Sequence, residues 1–174
     1  MRKGRMKDNS KIMLLIEDDD ETAALITESF CEIFDQCLVV RVTTGESGLE
    51  YITQGLPKGL SPQRELPDIV FLDTSLPGMS GMECLKQLRQ HPRSRGIPVV
   101  VLADDCTPHM VCRAYELGAA SFFRKPRILQ DFIVKLTELN MYWSQTAEVP
   151  TARRSEEHTL EMAMSSEAEH DSIQ

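Results

Sequence analysis

The sequence predicts an α/β fold: a doubly wound, five-stranded parallel sheet of order 2-1-3-4-5 with five helices. Three observations carry this. Short apolar runs alternate with amphipathic segments along the chain, the pattern of repeated βα units. Several of the runs are apolar at nearly every position, as strands buried on both faces are, and such strands are usually parallel. The order of the units, with right-handed crossovers, places helices on both faces of an open sheet.

The strand candidates are "KIMLLI" (11–16), "LVVRV" (38–42), "DIVFL" (68–72), "PVVVL" (98–102) and "SFFR" (121–124). Between them, Ala23, Ile26, Phe30 and Ile33 fall at helical spacing within 20–34. A shorter helix over 46–53 carries Leu49 and Ile52. "MECLKQLRQ" sets Met82, Leu85 and Leu88 on one face and stops at His91-Pro92, because proline disfavours helix in the residue before it. "PHMVCRAYELG" starts at Pro108 and ends at Gly118. A last helix, from about 128, carries Leu129, Phe132, Leu136, Leu139 and Trp143. This is the flavodoxin-like arrangement.

The predicted domain runs over 11–145, preceded by a basic flexible arm (1–10) and followed by an acidic tail (146–174) too polar to bury a core. A Gly- and Pro-rich connection fills 54–66. The chain has 174 residues, 41% of them apolar, and a net charge of −8. That balance argues against nucleic acid or an anionic membrane as partner. No apolar run has the length of a membrane span, and the N-terminus has no signal-peptide core. The five cysteines include no C-x-x-C, which fits free thiols in a reducing compartment and places the protein in the cytoplasm.

The stretch "LLIEDDDET" sets four acids directly after the first strand. In such sheets the ligand site lies at the carboxyl ends of the strands, beside the point where strand order reverses. The first and third strands flank that point. Glu17 and Asp18 follow the first, and Asp73 follows the third. Three carboxylates that converge repel one another unless they share a hard cation, and Mg²⁺ suits oxygen ligands. Asp19 and Asp20 read instead as cap and first-turn residues of the next helix. Lys125 stands at the end of the fifth strand, where it can reach an anion beside the metal. Pro126 directly after it is compatible with a cis peptide that would aim the lysine. Acids, lysine and metal together suit phosphoryl transfer, with an aspartate as nucleophile.

Four motifs carry a resemblance: "IEDD" (16–19), "FLDTSLPGMSG" (71–81), "IPVVVLA" (97–103) and "GAASFFRKP" (118–126). Over about 11–143 the chain resembles the receiver domain (CheY-like) of response regulators in two-component signalling. The resemblance implies that Asp73 is the phosphoacceptor, Asp18 a direct Mg²⁺ ligand with Glu17 beside it, and the backbone carbonyl of Ser75 a further ligand. It also implies that Lys125 contacts the phosphoryl group. The segment "DFIVKLTELNMYW" (131–143) resembles the small regulators that serve phytochrome-like sensor histidine kinases and dimerise through the last strand and helix. Phe132, Leu136, Leu139 and Trp143 are the expected homodimer face. A signalling domain of this kind is not an enzyme, beyond gaining and losing its own phosphoryl group. The segment after Trp143 is too short and too acidic for a DNA-binding module, so output passes to another protein. A hydrolase with an aspartate nucleophile would need a second aspartate where Ser75 stands.

The chain departs from the family at the switch. Ala103 occupies the position of the usual Ser or Thr, so the hydroxyl that bonds a phosphoryl oxygen is gone. Asp104 follows, and a carboxylate facing the site would cost on the order of several kcal/mol at an effective dielectric near 20, far less if it faces solvent. Phe122 is the switch aromatic, without its hydroxyl partner. The expected function is a single-domain response regulator phosphorylated on Asp73 with an atypical switch. The alternative is a degenerate receiver that docks partners independently of phosphorylation.

Overall fold

The computed structural model describes residues 11–33, 37–54 and 66–125, together with 131, 134, 135, 137 and 138. In chain order the elements are β1 (Lys11–Ile16), α1 (Asp20–Ile33), β2 (Cys37–Val42), α2 (Gly45–Gln54), β3 (Ile69–Asp73), α3 (Gly81–Gln90), β4 (Val99–Ala103), α4 (Pro108–Glu116) and β5 (Ser121–Arg124). All neighbouring strands pair in parallel, in the order β2-β1-β3-β4-β5. The predicted sheet and its order are therefore observed. Four complete helices are present among the described residues, and the helical residues at 131, 134, 135, 137 and 138 fall where the fifth is expected. Pro126 and its cis peptide, the predicted dimer-face residues Phe132, Leu136, Leu139 and Trp143, the basic arm and the acidic tail lie outside the described residues.

The side-chain alternation of a strand divides the core in two. On one face Leu14, Ile16, Val70, Leu72, Val99 and Val101 pack against Ile52 of α2, Leu85 and Leu88 of α3 and Ala114 of α4. On the other, Met13, Leu15, Phe71, Val100 and Leu102 pack against Ala23, Ile26 and Phe30 of α1. The Phe30 and Phe71 rings meet edge to face at 6.5 Å. Covering both faces is why β1, β3 and β4 are apolar at nearly every position; each such buried side chain contributes about 1.5–3 kcal/mol. The edge strands β2 and β5 are only half-buried along most of their length.

Local signals place the helix ends. Asp19 caps α1, its Oδ2 accepting from the Thr22 N–H at 2.7 Å, and Ser80 and Thr107 cap α3 and α4 in the same way. Pro108 opens α4, and Gly118, at φ 94°, turns the chain after it.

The turn after β3 uses its glycines for different reasons. Gly78 sits at φ 75°, where a side chain would be strained. Gly81 has no such need; it lets the first turn of α3 press against the end of β3. A Cβ on Gly81 would overlap the Asp73 carbonyl oxygen and lie 2.8 Å from the Thr74 Cα. Its N–H donates to the Thr74 carbonyl at 3.2 Å. Gly81→Ala is expected to destabilise the fold by about 1–3 kcal/mol through overpacking, measured by denaturant unfolding. An unchanged midpoint would show that α3 can retreat from Asp73 at no cost.

Candidate functional site

Parallel pairing brings the carboxyl ends of β1, β3 and β5 to one edge of the sheet. Glu17 is the first residue past β1, and its N–H donates to the Val42 carbonyl at 3.0 Å. Asp73 is the last residue of β3, paired in register with Leu102. Lys125 is the first past β5, held by a 2.8 Å bond from its N–H to the Ala103 carbonyl. Glu17 and Asp73 are 0% and 1% exposed, unusual for carboxylates.

The Lys125 ammonium lies between them, 2.8 Å from Glu17 Oε2 and 3.0 Å from Asp73 Oδ1. Asp18 is exposed and completes an acidic group: one carboxylate oxygen each from Glu17, Asp18 and Asp73 lie within 4.8 Å of one another. Three carboxylates thus face one ammonium. Burial pushes the Glu17 carboxyl above its ordinary range, with the charge of Asp73 adding to the shift; Lys125 and the Asp19 N–H oppose it. Burial pulls the Lys125 ammonium down, but its contacts with Glu17 and Asp73 outweigh this and hold it above the ordinary lysine value. The lysine therefore stays charged.

The same oxygens that face Lys125, Glu17 Oε2 and Asp73 Oδ1, are fully buried, and apart from the lysine no partner for them is found among the described residues. These contacts are ionic, and they leave lone pairs free in a site short of positive charge. Hard oxygen donors in excess of the cationic groups, clustered at this spacing, fit a hard divalent cation. Ser75 is exposed on the loop two residues past Asp73.

The three residues expected at the switch, Ala103, Asp104 and Phe122, lie at the end of β4, directly after it and within β5. Ala103 is fully buried at the end of β4. Asp104 is exposed, so its carboxylate can be solvated, and its carbonyl accepts from Arg124 Nε at 3.1 Å. Phe122 is half-buried against the α2–α3–α4 face of the core.

Two residues of the site's surroundings carry no motif. Arg41, the one charged residue of β2, donates from Nε to the Glu17 carbonyl at 3.1 Å and from Nη2 to the Asp18 carbonyl at 3.0 Å. Its Nη1 pairs with Asp20 Oδ1 at 2.6 Å. Glu46, in the first turn of α2, accepts from the Met79 N–H at 3.0 Å and so grips the loop after Asp73. A lone arginine in the apolar run "LVVRV" was the only sequence signal for the first.

The raised Glu17 value fixes the sign of a pH effect. A group that binds its proton more tightly when folded supports the fold below its ordinary value of 4.5 and loses that support as pH rises through its higher folded value. In EDTA, wild-type stability is thus expected to fall with rising pH above about 4.5 relative to Glu17→Gln. The variant should melt a few degrees higher at neutral pH, about 2–4 °C per kcal/mol gained. Parallel pH profiles for the two proteins in thermal unfolding would show that Glu17 ionises without penalty.

Residues 13–137 match the response regulator receiver domain family. The probable methanogenesis regulatory protein FilR2 of Methanothrix harundinacea is 33% identical over 132 residues, which cover 76% of this chain and 83% of FilR2. Response regulator Rcp1 of Synechocystis sp. is 29% identical over 143 residues, 82% of this chain and 95% of Rcp1. The crystal structure of the Mn²⁺-bound form of Rcp1 superposes with a TM-score of 0.69 at 27% identity, covering 81% of this chain and 99% of that one. The phosphorylated cyanobacterial phytochrome response regulator RcpA superposes with a TM-score of 0.72 at 27% identity, covering 82% and 99%. Among the described residues no helix is long and apolar enough to cross a membrane. Fold, site geometry and relatives agree: this chain belongs to the response regulator receiver domain family of two-component signalling.

Proposed function

We propose that this chain is a single-domain response regulator that accepts a phosphoryl group on Asp73 from a sensor histidine kinase and signals through protein–protein contacts. The observation that carries this is the buried Asp73 carboxylate, 3.0 Å from the Lys125 ammonium and clustered with Glu17 and Asp18. An Asp73 oxygen attacks phosphorus in line while the bond from phosphorus to the kinase imidazole breaks, and the departing imidazole takes up a proton. Lys125 is placed to follow the new charge from the carboxylate onto a phosphoryl oxygen. Glu17, Asp18, Asp73 and the backbone carbonyl of Ser75 would hold Mg²⁺, which when bound offsets charge on the phosphoryl oxygens. The Mn²⁺-bound form of Rcp1 supports a divalent ion in a related domain.

The kinase is phytochrome-like in this reading, supported by the similarity to RcpA, a phytochrome response regulator. Free cysteines suit a reducing cytoplasm. Phosphorylation biases a two-state equilibrium read out on the surface of α4, β5 and the following helix, where the chain forms a homodimer using Phe132, Leu136, Leu139 and Trp143. Ala103 supplies no hydroxyl to the phosphorylated state, so the population shift is smaller than a serine or threonine would give. The same residue favours a second reading, a receiver that docks its partner without phosphorylation.

Intact mass after incubation with acetyl phosphate and Mg²⁺ separates the two. A phosphoryl adduct, absent in Asp73→Asn, is expected. No adduct on a folded protein would favour the docking module. Ala103→Thr restores the hydroxyl, and a hydrogen bond to a charged group is worth about 1.5–3 kcal/mol, so the phosphorylation-dependent change in dimerisation should grow about tenfold or more. Ala103→Val, of like volume, should leave it unchanged. Equal behaviour of the Thr and Val variants in light scattering would refute the coupling.

A further inference from the structure

Arg41 stands at the carboxyl end of the edge strand β2, opposite Leu15 of β1. Strand alternation puts it on the same face as Cys37 and Val39, which pack in the core beside α1. From there its guanidinium reaches the segment Glu17–Asp20 at three points: the carbonyls of Glu17 and Asp18, and the Asp20 carboxylate. Two of the anchored residues bring carboxylates to the acidic cluster. The segment otherwise has few constraints on its path. The Glu17 N–H bonds the Val42 carbonyl, the Asp19 N–H bonds Glu17 Oε1 at 3.1 Å, and Asp19 caps α1. Of these, only the Asp19 N–H bond touches the peptide that follows Asp18, and it leaves that peptide's carbonyl to Arg41. The Asp18 side chain is exposed and has no hydrogen bond of its own among those described.

We propose that Arg41 is a positioning residue for divalent-cation binding: by gripping the carbonyls of Glu17 and Asp18 it fixes the direction in which Asp18 presents its carboxylate to Glu17 and Asp73. This rests on the reading of that cluster as a cation site. The guanidinium is suited to the task because its rigid planar fork reaches two carbonyls and a carboxylate from three separate nitrogens, whereas an ammonium is a single compact donor without that fixed geometry. Groups that orient metal ligands without touching the ion commonly govern affinity tenfold or more.

Charge and geometry predict opposite signs. Arg41 is a cation beside a cation site, so its charge alone opposes metal binding, and Arg41→Ala should tighten binding if charge were all that mattered. If Arg41 positions the loop, the same substitution should weaken binding on the order of tenfold. Arg41→Lys sharpens the contrast, since it keeps the charge and removes the fork.

The test is a Mn²⁺ titration followed by electron paramagnetic resonance of the free ion, on the full chain and on Asp18→Asn, Arg41→Ala and Arg41→Lys, with thermal unfolding in EDTA to confirm that each is folded. Wild type should bind one ion and Asp18→Asn should lose it. Arg41→Ala and Arg41→Lys should both bind severalfold to about tenfold more weakly. Tighter binding by Arg41→Ala, or unchanged binding by Arg41→Lys, would overturn the proposal while leaving the cation site standing. Absence of saturable binding by wild type would overturn the site itself, and the Arg41 role with it. Arg41→Lys keeps the test informative should the alanine variant fail to fold.

Discussion

One buried ammonium serves two buried carboxylates, and that imbalance governs the rest of this molecule. Lys125 contacts Glu17 and Asp73, and Asp18 adds a third acid at the rim. Buried ion pairs of this kind give little net stability, because desolvation offsets the Coulomb attraction. A site that keeps an excess of acids must gain elsewhere. The apolar packing on both faces of the sheet supplies the stability, and the acids are confined to the edge where β1, β3 and β5 end.

Placement of the three charged groups follows from topology rather than from local sequence. Glu17, Asp73 and Lys125 each lie at the end of a strand, and parallel register aligns those ends. Asp73 is itself the last residue of β3, braced by the carbonyl contact with α3 that only glycine at position 81 permits. The two loops that bear the acids are tied down from one place: Arg41 at the end of β2 and Glu46 at the start of α2 hold the loops after β1 and β3 respectively. The β2–α2 connection therefore acts as a common brace for both sides of the site.

Much of this could be read in the sequence because burial on two faces leaves a compositional trace. "KIMLLI" and "PVVVL" admit almost no polar residue, and their ends could be found to within one position. β4 begins at Val99, one residue after the predicted start. The carbonyl of Pro98 accepts from Val70, but its ring nitrogen has no hydrogen to donate. Glu17, Asp18, Asp73 and Lys125 were legible because strand ends plus the sheet order locate a site before any coordinates exist. The roles of Arg41 and Glu46 were not, since the contacts that tie them to the two loops are mostly to backbone groups, and a backbone carbonyl or N–H looks the same whatever residue bears it. Gly81 was legible as a glycine but not for its reason, which is close approach rather than conformational freedom.

The central claim is that the acidic excess at this edge is matched by a divalent cation. Isothermal titration calorimetry of the EDTA-treated protein with Mg²⁺ at neutral pH tests it most directly. One ion per chain, bound saturably and lost in Asp18→Asn, is the expected result. The absence of a saturable heat from a folded protein would contradict it, and would mean that Lys125 alone balances the cluster.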